Sequence, residues 1–183
     1  MIVCSTAKCV PILIQQNVDG SNFFNRSWAE FKVGFSDNRG NYWLGNDLLS
    51  QLTENGRYKL RFDLRTTAGY WYWAEYSTFT VMNETYNYQL QVSGYLGNLW
   101  NALAYQNGMK FTTYDRDNDL YINAASNNNC AVYNGGGFWY KSCGYCNVNV
   151  RRGHGYGFRW SRPTTHSPPY YNLQTSRMWL TCQ

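Results

Sequence analysis

The sequence predicts an α+β domain in which a central twisted antiparallel sheet carries short flanking helices and a loop-rich C-terminal region. Three observations lead to this prediction. Apolar and polar residues alternate along several segments between residues 57 and 95, which is typical of half-buried strands. Brief apolar segments behind capping residues occur before residue 55 and predict short helices. After Gly97 the patterning fades into a stretch rich in Gly, Asn, Ser and Tyr.

The first part of the sequence is expected to form one strand and two helices. Residues 10–14 are apolar and partly β-branched, which favours a strand. Each helix follows a residue whose side chain can accept a hydrogen bond from the first helical turn: residues 28–33 behind Ser27, and residues 48–53 behind Asn46 or Asp47.

The central part is expected to supply most of the sheet. Tyr58, Leu60, Phe62 and Leu64 share one face of the first strand, whereas Lys59, Arg61 and Asp63 share the other. The predicted strands are residues 57–65, 70–76, 77–82 and 86–95, and one more short helix is expected within residues 100–107.

Length and charge limit the possible classes of protein. A chain of 183 residues suffices for one sizeable core, and without repeats or a linker we expect a single domain over residues 1–183, with a recognition subdomain over about 98–183. The net charge is +5, but the basic residues are scattered, which argues against a nucleic-acid partner. The apolar segment 10–14 is too short for membrane insertion.

The cysteines point to an oxidising compartment. There are 6 of them, and apart from Cys143-Gly-Tyr-Cys146 they show no zinc-binding spacing. We therefore expect a secreted or cell-surface location, and a polypeptide taken from a longer exported protein or exported by another route. Neither a G-x-S-x-G nor an H-E-x-x-H motif is present, so catalysis is not expected.

The segment after residue 114 contains a cluster of carboxylates. Asp115, Asp117 and Asp119 occupy alternate positions, and calcium prefers such hard oxygen ligands. The segment is not an EF-hand, because the positions that require Gly and Glu hold Leu120 and Ser126. The pattern is compatible with a calcium site or with a solvated acidic turn.

Several ordered motifs resemble those of the fibrinogen C-terminal, or fibrinogen-related, domain family, and in particular its ficolin- and tachylectin-type lectins. The resemblance covers roughly residues 12–180. It is found in residues 18–23 (VDGSNF), 42–46 (YWLGN), 60–64 (LRFDL), 111–119 (FTTYDRDND), 138–140 (FWY) and 171–173 (YNL), together with Cys130, Cys143 and Trp160. It implies the same fold, with a shortened N-terminal part, and assembly as a homo-oligomer, with a trimer favoured.

The resemblance also implies a metal site and a disulfide. Calcium would be bound by the side chains of Asp117 and Asp119 and by the backbone carbonyls of Tyr121 and Asn123. Cys130 and Cys143 would form the family disulfide, closing a loop that should stabilise the fold by roughly 3 kcal/mol. The pairing of the other four cysteines, Cys4, Cys9, Cys146 and Cys182, stays open.

A ligand pocket is implied beside that disulfide. Aromatic side chains would pack on a sugar face or an acetyl methyl group, and backbone N–H groups would donate to a carbonyl oxygen. The matching positions are Tyr133, Asn134, Phe138, Ser142, Cys143, Gly144, His154, Gly155 and Tyr156. Many family lectins have His where this sequence has Gly144, and His154 could partly replace it.

Two functions follow from the resemblance. The first is a calcium-dependent lectin or adhesin that recognises glycans or acetylated groups on cell surfaces as a multimer. The alternative is a protein-interaction or assembly module that uses the same loops to bind a peptide or a receptor. The glycine at position 144 mildly favours the second function, or a changed sugar specificity.

Overall fold

A computed structural model describes residues 10–122, 124–161 and 170–183. Its strands are β1 (Ile12–Asn17), β2 (Phe35–Ser36), β3 (Tyr42–Trp43), β4 (Tyr58–Thr66), β5 (Trp71–Val81), β6 (Leu90–Gly97), β7 (Cys146–Asn147), β8 (Arg159–Ser161) and β9 (Tyr170–Cys182). Its α-helices are α1 (Trp28–Val33), α2 (Asn46–Thr53) and α3 (Cys130–Asn134). The antiparallel sheet has the order β2-β3-β1-β9-β4-β5-β6, and β8 joins β7 to β9.

The alternation in β4 has the expected consequence. Leu60, Phe62 and Leu64 are completely buried, and they alternate with half-buried polar residues on the opposite face. Strand β4 lies between β5 and β9, so its apolar face covers the middle of the core. The predicted strand 57–65 is confirmed to within one residue at each end.

Two predicted strands are in fact one. The prediction of separate strands over 70–76 and 77–82 is wrong, because β5 runs without interruption from Trp71 to Val81. It pairs with β4 from Trp71 to Tyr76 and with β6 from Ala74 to Val81, and this overlap holds the exposed Ser77 and Thr78 in extended conformation. Tertiary pairing here outweighs the local polar signal.

Strand β9 was not expected, although it is central to the sheet. It pairs with β1, β4 and β8, and its buried residues Ser176, Met178 and Leu180 alternate with partly exposed ones. The same alternation is visible in the sequence. It is hard to recognise there because Ser176 is polar and a register shift opposite Arg65 and Thr66 interrupts the pattern.

The helices are close to their predicted positions. Helix α2 begins at Asn46 directly after Gly45, so the expectation that Asn46 or Asp47 caps it is wrong. Gly45 is required there because its φ is +108° and a Cβ would lie 2.8 Å from the carbonyl oxygen of Val33. The expected helix within 100–107 is a short 3₁₀ turn over Leu103–Gln106. No helix among the described residues is long and apolar enough to cross a bilayer.

Helix α1 matches the prediction residue for residue and begins with a capping box. The Ser27 hydroxyl accepts from the backbone N–H of Glu30 at 3.4 Å, and the Glu30 carboxylate accepts from the backbone N–H of Ser27 at 2.8 Å. That backbone hydrogen bond is the main cause of the lowered pKa of Glu30. The reciprocal pair satisfies two N–H groups that the helix leaves unpaired.

Replacing Ser27 with alanine should therefore destabilise the fold by about 1 kcal/mol, because the first turn loses its acceptor. The measurement is the free energy of unfolding in urea. Ser36→Ala is the matched control, since Ser36 is exposed and has no side-chain hydrogen bond within the described ranges. A Ser27→Ala variant as stable as the control would contradict the capping role.

Candidate functional site

The base of the acidic loop is fixed by its first carboxylate. One Asp115 oxygen accepts from the backbone N–H of Trp28 at 2.8 Å and from the Thr113 hydroxyl at 2.7 Å. The neighbouring Arg116 guanidinium lies 4.1 Å from the ring centroid of Trp28 and donates to the Asn87 side chain at 2.7 Å. Asp115 therefore anchors the loop to the start of α1, which leaves the other two carboxylates as candidate metal ligands.

Asp117 and Asp119 form the exposed part of this loop. Asp117 is exposed, and one of its oxygens accepts from the backbone N–H of Asp119 at 3.1 Å. Asp119 is half-buried, and its two oxygens accept from the backbone N–H groups of Tyr121 and Cys130, each at 2.8 Å. Neither carboxylate enters an ion pair within the described ranges.

The charge balance at this pair fits a cation. Burial is the largest cause of the raised pKa of Asp119, about 6, and the nearby negative charge of Asp117 adds to it. A divalent ion would offset that repulsion, and carboxylate and carbonyl oxygens are the ligands that calcium takes. The described residues contain no group of three or more His, Cys, Asp or Glu that could hold a metal, so backbone carbonyls would have to complete the shell. Asn123, one of the predicted carbonyl ligands, lies outside the described residues.

Asp119 also connects the acidic loop to the disulfide. It accepts from the backbone N–H of Cys130, the first residue of α3. The preceding Asn129 caps this helix, because its side-chain oxygen accepts from the backbone N–H groups of Ala131 and Val132 at 2.7 and 3.0 Å. Cys130 is joined to Cys143, as the resemblance implied, with a Cα–Cα distance of 5.1 Å. One hydrogen bond thus connects the carboxylate pair to the start of α3 and to the disulfide.

A second loop is positioned by Asn134 at the end of α3. The buried Asn134 amide donates to the carbonyl of Cys130 at 2.9 Å and accepts from the backbone N–H of Tyr156 at 3.0 Å. Gly155 packs so closely there that a Cβ would lie 2.4 Å from the carbonyl oxygen of Tyr133. The His154 ring packs against Gly135: a Cβ added at Gly135 would lie 3.0 Å from a carbon atom of that ring.

Five tyrosines lie on α3, on the 3₁₀ turn Leu103–Gln106 and on the loops near them, and we call Tyr105, Tyr121, Tyr133, Tyr145 and Tyr156 the tyrosine patch. The Tyr133 ring centroid is 5.8 Å from that of Tyr121 and 5.2 Å from that of Tyr156. Burial and the neighbouring Tyr121 and Tyr133 raise the pKa of Tyr156, and Tyr105 adds to the effect. Such rings offer broad apolar faces and a hydroxyl at the edge.

Two cations border the tyrosine patch. The Arg159 guanidinium lies 4.8 Å from the ring centroid of Tyr156, and the Lys141 ammonium lies 4.9 Å from that of Tyr105. Tyr105 packs on Tyr145 with ring centroids 4.7 Å apart. These four residues, Tyr105, Lys141, Tyr145 and Arg159, were missed by the sequence analysis. Tyr105 lies far from the others in sequence, and only the fold brings it to this surface.

Three of the predicted ligand-binding side chains are buried instead. The Phe138 ring is fully buried and contacts the rings of Trp139 and Tyr140. The prediction that it lines a pocket is therefore wrong. An antiparallel β-bridge between the backbones of Phe138 and Thr112 holds this residue in the core. The side chains of Asn134 and Cys143 are also buried, and both hold loops rather than face solvent. Tyr133, Ser142, Gly144, His154, Gly155 and Tyr156 remain partly or fully exposed.

The glycine at position 144 has a structural cause. Its φ is +131°, and a Cβ would lie 2.7 Å from the Gln106 side-chain oxygen. That oxygen accepts from the backbone N–H of the buried Cys146 at 3.3 Å and from its thiol at 3.0 Å, while the Gln106 amide donates to the carbonyl of Trp139 at 2.7 Å. A histidine at position 144 would disturb this bonded glutamine, so this loop conformation favours glycine there.

Comparison with known proteins gives a consistent result. The family model for the C-terminal globular domain of fibrinogen β and γ chains matches residues 4–180. Human ficolin-3 is 37% identical over 170 residues, which cover 89% of this chain and 55% of ficolin-3. The chain spans only 37% to 55% of the length of three curated relatives.

Solved structures agree in fold. The fibrinogen-like globe domain of human ANGPTL2 matches with a TM-score of 0.81 and 34% identity, over 94% of this chain and 80% of that one. A lamprey fibrin D-dimer in complex with the peptide Gly-His-Arg-Pro-amide matches with a TM-score of 0.73 and 30% identity, over 92% and 60%. At these levels of identity the similarity extends beyond the bare fold.

Proposed function

This protein belongs to the family defined by the C-terminal globular domains of the fibrinogen β and γ subunits, and from that premise we propose that it is a calcium-dependent recognition module. It would act outside the cell, secreted or at the cell surface, as a lectin or adhesin without catalytic activity. Its ligands would be glycans or acetylated surface groups. The observation that carries this proposal is that Asp119 accepts from the N–H groups of both Cys130 and Tyr121, which joins the carboxylate pair to the disulfide and to the tyrosine patch.

Each part of the surface has a distinct task in this proposal. Bound calcium would offset the repulsion between Asp117 and Asp119, so that Asp119 stays ionised while it accepts from the N–H groups of Tyr121 and Cys130. Tyr121 and Tyr133 would then stay at a fixed distance and offer their faces to an acetyl methyl or a sugar ring. The exposed Ser142 would supply a polar contact at the edge.

Assembly would determine the strength of binding. One shallow surface of aromatic rings holds a sugar weakly, and linking several copies raises the effective concentration of the next site. A homo-oligomer, with a trimer favoured, is therefore part of the proposal. Ficolin-3, a relative that is 37% identical, supports the lectin interpretation.

A glycan array tests the proposal directly. The protein, displayed as a tetravalent streptavidin complex, should bind acetylated glycans in calcium, lose them in EDTA, and recover them when calcium is restored. Deacetylated versions of the same glycans serve as the control and should bind at least about tenfold more weakly. If the multimer retains no glycan or acetylated compound in calcium, the lectin function is wrong.

One observation favours a second function, a protein-interaction or assembly module. The lamprey fibrin D-dimer of similar fold is known in complex with the peptide Gly-His-Arg-Pro-amide. The two cations that border the tyrosine patch, Lys141 and Arg159, could receive a peptide carboxylate. Calorimetric titration with short peptides in calcium separates the two functions: saturable peptide binding by a protein that ignores all glycans would establish the second.

A further inference from the structure

The outer face of the sheet, on the side away from the core, carries an unusual set of residues. Residues directly opposite one another on neighbouring strands share a face. On one side of β4, Arg65 is opposite Trp71 of β5. Asp63 lies between Trp73 of β5 and Arg177 of β9, and Arg61 lies between Glu75 of β5 and Trp179 of β9. We call this surface the outer sheet face; it consists of Lys59, Arg61, Asp63, Arg65, Trp71, Trp73, Glu75, Thr175, Arg177 and Trp179. None of these residues belongs to the tyrosine patch or to the acidic loop.

The acidic residues of the outer sheet face are already paired. Glu75 meets the Lys59 ammonium at 3.5 Å, and Asp63 meets the Arg61 guanidinium at 3.0 Å. Arg61 also lies over the Trp73 ring, 5.1 Å from its centroid. Both carboxylates of this ten-residue face are therefore engaged, and neither is left to neutralise a further cation.

Two arginines of the outer sheet face form no ion pair in the part of the protein that the structure describes, although Asp63, which Arg61 engages, lies opposite Arg177 in the register. Neither Arg65 nor Arg177 enters an ion pair there. The Arg177 Nε donates to the Gln16 side chain at 2.7 Å, and the Arg65 Nε is buried without an acceptor among the same residues, so the terminal nitrogens of the two guanidinium groups are the donors that an anion would meet. Guanidinium groups bind sulfate and carboxylate oxygens through two parallel hydrogen bonds, and both side chains have donors to spare.

The position of these arginines suits a linear anion. Arg65 pairs with Thr175 and Arg177 pairs with Asp63, so the two arginines are diagonal neighbours on β4 and β9, with backbones roughly 7–8 Å apart. Trp71, opposite Arg65, is 55% exposed, and the adjacent Tyr70 is 66% exposed. Large aromatic side chains exposed to this extent beside unpaired arginines are typical of binding surfaces.

We propose that the outer sheet face docks a sulfated polysaccharide. Sulfate groups along the polymer would bind Arg65 and Arg177, and sugar rings would pack on Trp71. A nucleic acid fits less well, because a duplex presents a charge about every 1.7 Å, and only two arginines of this face are without an ion pair among the described residues. The overall charge of +5 assists approach of a polyanion. This site does not depend on the proposed calcium site, since none of its residues belongs to the acidic loop.

The test uses the wild-type protein in EDTA, so that a calcium-dependent site cannot contribute. A sulfated heparin hexasaccharide should bind measurably by surface plasmon resonance, whereas the same hexasaccharide after chemical desulfation should bind at least about tenfold more weakly. Absence of binding by the sulfated form would overturn the proposal. Equal binding by poly-glutamate of similar length would also overturn it, because it would show a response to negative charge alone.

A pair of double variants locates the site. Arg65→Gln/Arg177→Gln should weaken binding of the sulfated hexasaccharide at least about tenfold. The control, Arg39→Gln/Arg151→Gln, removes the same charge from two exposed arginines outside the face and should change affinity less than about threefold. An equal loss in both double variants would show that binding follows net charge, and the assignment to the outer sheet face would be wrong.

Discussion

Asp117→Asn/Asp119→Asn is expected to lower calcium affinity by about 100-fold or more and to abolish calcium-dependent ligand binding. The change removes both charges with little change in side-chain volume. Asp119 is half-buried and its oxygens hold Tyr121 and Cys130, so the tyrosine patch loses its link to the cation. Calorimetric titration with calcium measures the first effect, and the glycan array measures the second.

Thermal unfolding provides a second readout of the same prediction. A ligand that binds only the folded state stabilises it, by about 2.7 kcal/mol at 100 times its dissociation constant. Calcium should therefore raise the Tm of the wild-type protein and leave that of the double variant unchanged. Glu54→Gln is the matched control, because Glu54 is exposed at the end of α2 and its variant should respond to calcium like the wild type. A calcium-induced rise in Tm that survives in the double variant would place the ion elsewhere.

Gly136→Ala is expected to destabilise the fold by about 4 kcal/mol or more, enough to unfold many domains of this size. A Cβ at position 136 would lie 1.7 Å from the carbonyl oxygen of Asn149 and 3.2 Å from that of Phe24. Both contacts are with backbone, so no side-chain rotation relieves them. The carbonyl of Gly136 also accepts from the buried Tyr140 hydroxyl at 2.6 Å, so a shift of the backbone would break this bond.

Gly56→Ala separates this clash from the general effect of replacing a glycine. Gly56 has a φ of +61°, and nothing lies within 4 Å of a Cβ added to it. Its replacement should cost only about 1 kcal/mol, the penalty for a left-handed conformation. Chemical denaturation of both variants gives the comparison. Similar losses at the two positions would mean that the segment around Gly136 can move aside.

The sequence alone predicts the parts of the fold that depend on local signals. Helix α1 follows from Ser27 and the spacing of Trp28 and Phe31, and β4 follows from its alternation. The continuity of β5 and the position of β9 could not be predicted in this way. The continuity of β5 depends on its pairing with β4 and β6 on either side, which outweighs the polar residues in its middle. Strand β9 joins the last residues of the sequence to β1 and β4, which lie near its beginning and middle.

The candidate site shows the same division. The acidic motif predicts only a cluster of three carboxylates, and the resemblance to the family predicts Asp117 and Asp119 as metal ligands, the disulfide and the loop with Tyr156. The burial of Phe138 and the approach of Tyr105 to Tyr145 depend on how the core is packed, which no local pattern records. The glycine at position 144 is explained by its φ of +131° and by the contact that a Cβ would make with Gln106, and neither can be read from the sequence.

A crystal structure of the protein soaked with calcium and an acetylated sugar tests the central claim most directly. We expect one ion between the side chains of Asp117 and Asp119, with the carbonyl of Tyr121 among its ligands, and the acetyl group against Tyr133 and Tyr156. Well-defined density for both aspartates with no ion between them in excess calcium would contradict the proposed metal site, and with it the calcium dependence of recognition.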